Sequence, residues 1–259
     1  MTKKNIFEGV YIPTVEEVLE RILNSDPCVV SVESDYLVLG NIRCVDSDGV
    51  EFEQYDRLRV NKDIERDADG SQVSFTPYNA VACLEKQKMF LPSMALSCNI
   101  LACLYANRDD KEVNKVLMQY KDKGNGYGWH AQNTIVDWGS KKIIHYPSDK
   151  DFPEHGGSDG INNARRVERK FNPKDFMCML LKEALKTPEF NNYIQNLTGL
   201  QKPKTLTEIG QYFQKPAKIW TSTNKEVRAV WLGCYNSDFD VSTNYDLYNF
   251  NACRGVQNL

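Results

Sequence analysis

Residue types that carry metal and nucleic-acid chemistry are scarce in this chain. Only three His occur among 259 residues, and none of the eight Cys forms a Cys-x-x-Cys pair, so a structural zinc site of the usual ligand spacing is not expected. No Lys or Arg run stands out and the formal net charge is −3, which removes the electrostatic footprint of a nucleic-acid binder. No stretch reaches membrane-spanning length. Met1 to Tyr11 carries no apolar segment, so a cleaved secretion signal is not expected, and the location stays open between the cytoplasm and a virus particle.

The most informative absence is local. The 25 residues from Leu232 to Val256 include no Lys, Glu, Gln, Met or Trp. Those five types make up 57 of the 259 residues, so about five would fall in such a window by composition alone. Every type present in the window can be written by a codon ending in a pyrimidine, and none of the five missing types can. The window is instead rich in Tyr, Asn, Ser, Asp and Phe. Antibody contact loops use a similar mixture, in which rigid aromatics supply area and small polar groups supply adaptable hydrogen bonds. Such a surface suits recognition better than bond-making.

The remainder of the composition is ordinary for a soluble globular chain, and its length allows one large domain or two small ones. Cys28, Cys44, Cys83, Cys103 and Cys178 lie in apolar stretches, which favours buried free thiols over disulfides. Thr14 to Glu17 is a capping box opening an amphipathic helix over 15–24. Strands are expected over 28–33, 36–45 and 50–60, the last two joined by a turn at Asp48-Gly49. Residues 78–123 read as helical, broken at Leu91-Pro92 and restarted with Ser93 as N-cap. A hairpin over 130–138 and 141–149 turns at Gly139-Ser140. A polar loop over 150–173 precedes a helix over 175–186, and Thr205 to Glu208 is a second capping box. Strands follow at 219–223 and 227–233. There is no repeat and no clean linker, so one α+β domain over 1–259 is expected, with an N-terminal elaboration over about 1–75.

The order of the C-terminal pieces resembles a known family. Ile219-Trp220-Thr221-Ser222-Thr223, then 227–233, then the Tyr/Asn/Ser/Asp run, then Ala252-Cys253-Arg254-Gly255-Val256 is similar to the variable proteins of diversity-generating retroelements, of prokaryotes and viruses. Cys253 is inserted relative to that family's terminal Ala-Arg-Gly-Val. The Trp220 strand also looks like members of the formylglycine-generating-enzyme type. The resemblance covers roughly residues 217–259. It implies a C-type-lectin-like mixed fold, a small twisted antiparallel sheet flanked by helices, with a variable ligand-binding region over about 227–256. It also implies a reverse transcriptase as the gene-level partner and a protein or glycan target, with no catalysis, no cofactor and no metal. Diversification of template adenines in Asn codons ending in a pyrimidine yields the types seen here and none of the five that are missing.

A site that tolerates many sequences needs a backbone held by contacts that do not change. Trp220, Trp231, Arg254 and Gly255 are the candidate framework, Arg254 bonding buried carbonyls or carboxylates and Gly255 allowing close backbone approach. The candidate contact residues are Leu232, Cys234, Tyr235, Asn236, Ser237, Asp238, Phe239, Asp240, Asn244, Tyr245, Asp246, Tyr248, Asn249 and Phe250. Strand alternation would turn either Tyr235, Ser237 and Phe239 or Asn236, Asp238 and Asp240 outward, and the sequence leaves both open.

The competing reading is a Cys-His-Asp hydrolase of papain- or transglutaminase-like arrangement. A two-residue turn at Gly139-Ser140 places His130 opposite Asp149, and Cys98 would be the nucleophile. Against it, Cys98 falls in the second turn of its predicted helix, and no oxyanion-forming segment precedes it. His145 and His155 read as surface or turn residues. Asp149, Asp151, Glu154, His155 and Asp159 read as a solvated acidic loop, and Asp67 to Gly70 as a turn lacking the downstream Glu of a calcium loop.

Overall fold

The computed structural model describes residues 28, 30–69, 71, 73–121, 128–146, 167–171, 178–222, 224–235, 237–247 and 252–259. These residues form a mixed α+β architecture with six helices and two sheets. The helix expected over 15–24, Asp149 to Asp159 and Gly70 lie outside the described residues. Among the described residues no helix is long and apolar enough to cross a membrane.

The first sheet is antiparallel, in the order β1 (Val30–Val32), β2 (Tyr36–Val45), β3 (Glu51–Asn61) and β11 (Val256–Asn258). Alternation builds it: Leu37, Leu39, Leu58 and Val60 turn inward while Arg57 and Arg59 turn out. Its hairpin closes at the expected place. Asp46 accepts from the N–H groups of Asp48 and Val50, and Gly49 takes the positive φ of 79° that the turn requires.

The second sheet has seven strands: β6 (Val167–Lys170), β5 (Lys142–His145), β4 (Gly128–Asp137), β9 (Val227–Tyr235), β10 (Asp238–Tyr245), β8 (Ala217–Trp220) and β7 (Cys178–Leu180). The β10–β8 pairing is parallel and the other pairings are antiparallel. Thr134 pairs with His145 and Asp137 with Lys142, the offset expected from the Gly139-Ser140 turn.

Helices α1 (Pro77–Lys86), α2 (Met94–Ala106), α3 (Lys111–Met118), α4 (Leu181–Ala184), α5 (Pro188–Thr198) and α6 (Lys204–Tyr212) complete the fold. Helix α2 is apolar on nearly every side, which fits it for burial rather than for a surface. It touches β2 of one sheet, β4 and β9 of the other, and α5 and α6. Helix α1 lies on the other side of the seven-stranded sheet, where Ala80 and Leu84 pack with Ala131, Ile135, Ala229 and Trp231.

Four expectations need correction. The stretch expected as a helix over 175–186 contains strand β7 and only the short α4, because Cys178, Met179 and Leu180 pair with Trp220, Ile219 and Lys218. The end of the expected polar loop is strand β6. Helix α6 starts at Lys204 with Pro203 in the cap position, not at Thr205; the fixed φ of Pro203 is already helical. Cys28 and Cys103 form a disulfide, while Cys44, Cys83, Cys98, Cys178, Cys234 and Cys253 are free, Cys178 exposed and Cys83 half-buried instead of buried.

The buried N-terminus of α2 is closed by side chains from three elements. The Ser93 hydroxyl oxygen accepts from Leu96 N–H, and Thr134 Oγ1 accepts from Met94 N–H. Ser93 donates to Glu53 at 2.6 Å, and Tyr55 donates to the other Glu53 oxygen at 2.9 Å. Burial pushes the Glu53 carboxyl from about 4.5 up to about 7, with the two hydroxyl donors opposing the rise. Between these values the folded chain holds a proton that the unfolded chain releases, so the contribution of Glu53 is full below pH 4.5 and is lost as pH rises through 7. Relative to E53Q, the parent should therefore lose on the order of 3 kcal/mol between pH 4.5 and pH 7.5. Urea midpoints of both proteins at the two pH values check this; parallel pH profiles would remove the buried ionisable carboxyl from the account.

Candidate functional site

The C-terminal run forms the end of β9, all of β10 and the path into β11. Register sorts its side chains. Phe239 lies opposite Cys234 and Ala217, and Val241 opposite Leu232 and Ile219. All six are buried in the core shared with α2, and Phe239 meets Phe213 edge-on at 5.6 Å. Asp238, Asp240 and Ser242 occupy the alternate positions, opposite Tyr235, Gly233 and Trp231 on one side, while Asp240 and Ser242 face Lys218 and Trp220 on the other. Neither alternation left open by the sequence holds as a whole: Phe239 turns inward and Asp238 and Asp240 to the other side, but Asp240 is buried, Ser237 is exposed and Asn236 lies outside the described residues.

The resulting face is polar and internally bonded. Lys218 Nζ sits 2.8 Å from Asp238 Oδ2, and the Trp220 indole N–H donates to Asp240 Oδ1 at 2.9 Å. Ser242 donates to Asn244 Oδ1 at 2.7 Å. Burial lifts the Asp240 carboxyl to about 6; the Trp220 bond opposes the rise and the negative charge of Asp238 adds to it. Asp246 pairs with Arg228, which also meets Glu226. Much of this face is covered: Asp240 and Ser242 are buried, and Lys218, Trp220, Asp238 and Asn244 are half-buried.

Not every candidate contact residue is displayed. Leu232, Cys234, Phe239 and Asp240 are buried, the first three because the pleat turns them into the core; Asp240, on the other side, accepts from the Trp220 indole N–H. Ser237 and Asp246 are exposed, and Asp238 and Asn244 are half-buried. Asn236, Tyr248, Asn249 and Phe250, and the side chains of Tyr235 and Tyr245, lie outside the described residues.

The framework residues sit around this run. Trp231 is fully buried and Trp220 half-buried. The terminal segment is held mainly through its backbone: Ala131 N–H donates to Ala252 O, Glu65 N–H to Cys253 O, and Asn61 N–H to Gly255 O, while Val256 and Phe90 exchange two bonds. Arg254 is 3% exposed and donates to Asn61 O and Gln119 Oε1. Its guanidinium lies over the Tyr120 ring, which stacks on His130 at 4.2 Å. A Cβ on Gly255 would come within 2.8 Å of Leu84 and 2.9 Å of Met89. Gly255→Ala should therefore destabilise the chain by about 1–3 kcal/mol through overpacking. A thermal melt checks this; an unchanged midpoint would show that the site can relax.

Neither described member of the Cys-His-Asp reading sits where catalysis would need it. Cys98 is completely buried in the second turn of α2, its Sγ 3.9 Å from Met94 Sδ. Burial pushes its thiol well up, whereas a nucleophilic Cys needs a lowered value. His130 is buried too; burial and the nearby Arg254 charge hold it neutral. Asp149 lies outside the described residues. His145, expected at the surface, is fully buried, because Thr134 Oγ1 meets its Nδ1 at 3.0 Å, Asn196 O meets its Nε2 at 2.9 Å, and Phe52 stacks on the ring. Among the described residues no group of three His, Cys, Asp or Glu is arranged to hold a metal.

Thiol labelling follows from the same burial. In the folded chain iodoacetamide should modify the exposed Cys178 first and leave Cys44, Cys98, Cys234 and Cys253 untouched until denaturant is added. Peptide mapping reads the order; fast modification of Cys98 in the folded protein would reopen the enzyme reading. Comparison of the chain with protein families, with curated proteins and with solved structures found no match.

Proposed function

We propose that the chain is a ligand-binding variable protein on a C-type-lectin-like scaffold, recognising a protein or glycan target through its C-terminal segment. The observation that carries this reading is the division of labour along β10. Apolar residues at 239 and 241 anchor the strand, while the polar residues 238, 240 and 242 take the other face, Asp238 half-buried and Asp240 and Ser242 buried and hydrogen-bonded beneath it. The missing Lys, Glu, Gln, Met and Trp over 232–256 support it independently, since a pyrimidine-ending codon set leaves out those types. The surface offered to a target is then built on Ser237, Asp238, Asn244 and Asp246 with the connections around them. Leu232, Cys234, Phe239 and Asp240 serve as its support. Segment 252–256 suits this role because its backbone bonds to Ala131, Glu65 and Asn61 do not depend on neighbouring side chains.

Two libraries of pyrimidine-ending codons test the division. Variation at Ser237, Asp238, Asn244 and Asp246 should leave most variants folded, with melting midpoints within a few degrees of the parent. Variation at Leu232, Cys234, Phe239 and Val241 should leave most variants unfolded, because each removes or overfills buried volume. Equal failure in both libraries would defeat the reading. At the gene level, a near-copy of the 3′ end differing mainly at adenines, beside a reverse transcriptase gene, is the expected companion.

A further inference from the structure

Helices α4, α5 and α6 lie on the helical side of the seven-stranded sheet. Ile209 of α6 and Phe213 just after it pack in the core with Ala217 and Phe239, so the outer surface of α6 faces away from the polar side of β10. That outer surface and the ends of α4 and α5 enclose a groove of about 720 Å³. Lys182, Lys186, Lys202 and Lys204 rim it. Leu185 and the buried Pro203 line it between them. Glu208 is the one carboxylate among the lining residues and Glu183 reaches Lys186 from just outside them, so four ammonium groups meet two carboxylates on a chain whose formal net charge is −3.

The lysines are poorly neutralised where they stand. Lys186 pairs with Glu183 at 2.5 Å and Lys204 with Glu208 at 3.6 Å, both across exposed helix surface where such pairs are worth little. Among the described residues Lys182 and Lys202 have no ion-pair partner. Four like charges around one concavity repel one another and raise the local positive potential, which favours an anionic occupant. The lining residues include no Arg for bidentate phosphate binding and no aromatic ring for base stacking. The apolar strip along Leu185 and Pro203 instead fits aliphatic side chains.

We propose that this groove is a docking site for an acidic peptide segment of a partner protein, its carboxylates meeting the four lysines and one or two apolar side chains resting on Leu185 and Pro203. The site lies on the opposite side of the sheet from Asp238, so a partner held here does not cover that residue.

The test uses the full chain and a fluorescein-labelled peptide of about twelve residues, Glu and Asp interrupted by Leu and Phe at helical spacing. Anisotropy at low ionic strength should show saturable binding that added salt weakens. K182E/K202E should weaken it about tenfold or more with an unchanged melting midpoint. If that variant fails to fold, K182A/K202A is read in the same way. A peptide with its Leu and Phe replaced by Ser, and a heparin oligosaccharide, should each bind several-fold more weakly. No saturable binding, or binding indifferent to both lysine variants, would overturn the proposal. So would equal binding of the Ser-substituted peptide or of heparin, since either would mark a plain polyanion site.

Discussion

The N-terminus of α2 is the point on which the rest of the architecture depends. A helix apolar on nearly every side belongs inside the protein, yet its first N–H groups have no partner within the helix and lie where water does not reach. Each such donor left unmet would cost about 1–3 kcal/mol. Ser93 and Thr134 meet two of them. Because Thr134 Oγ1 accepts from Met94 N–H, its own proton is free to go to His145 Nδ1, which leaves His145 Nε2–H to donate to Asn196 O. The ring must be neutral for this, and burial holds its value down near 4. One helix end therefore ties β3 through Glu53, β4 through Thr134, β5 through His145 and α5 through Asn196.

That closure lets a single central helix support two sheets, and the sheets in turn present the C-terminal run. The segment enters through β9 and β10, whose inward side chains join the α2 core, and leaves through 252–256, which is bonded by backbone to β4, the end of β3 and the chain after it, and Phe90. Arg254 adds a guanidinium–phenol–imidazole stack with Tyr120 and His130. These contacts come from the backbone and from residues other than 237, 244 and 246. Rigidity below and tolerance above are the physical requirements of a surface whose side chains change while its fold does not.

Particular elements show what could be read in advance. The β2–β3 hairpin, its Asp48-Gly49 turn and the Ser93 cap were legible because each follows from short-range rules: period-two alternation, positive φ at glycine, a hydroxyl before the first helical turn. The β4–β5 register followed from turn length alone. Helix α5 was missed, although Pro188 at its start, Phe190, Tyr193, Ile194 and Leu197 at helical spacing, and Gly199 in the left-handed region at its end are all local signals. Strand β7 was not legible, since Cys178 to Leu180 is a strand only because Trp220 and its neighbours offer an open edge.

The candidate site divides in the same way. By itself the sequence determined that residues 232–256 draw on a restricted set of side chains, and that the ends of this run suit a framework, because composition and short motifs are properties of the chain alone. It did not decide which alternation of β10 faces the core, since both alternations contain residues able to lie inside. Nor did it foresee the disulfide between Cys28 and Cys103, or the inward place of His145. Those depend on which distant segments meet, and packing around α2 makes that choice: a strand turns inward the side that fills the space beside Phe213 and leaves the other side to Lys218 and Trp220.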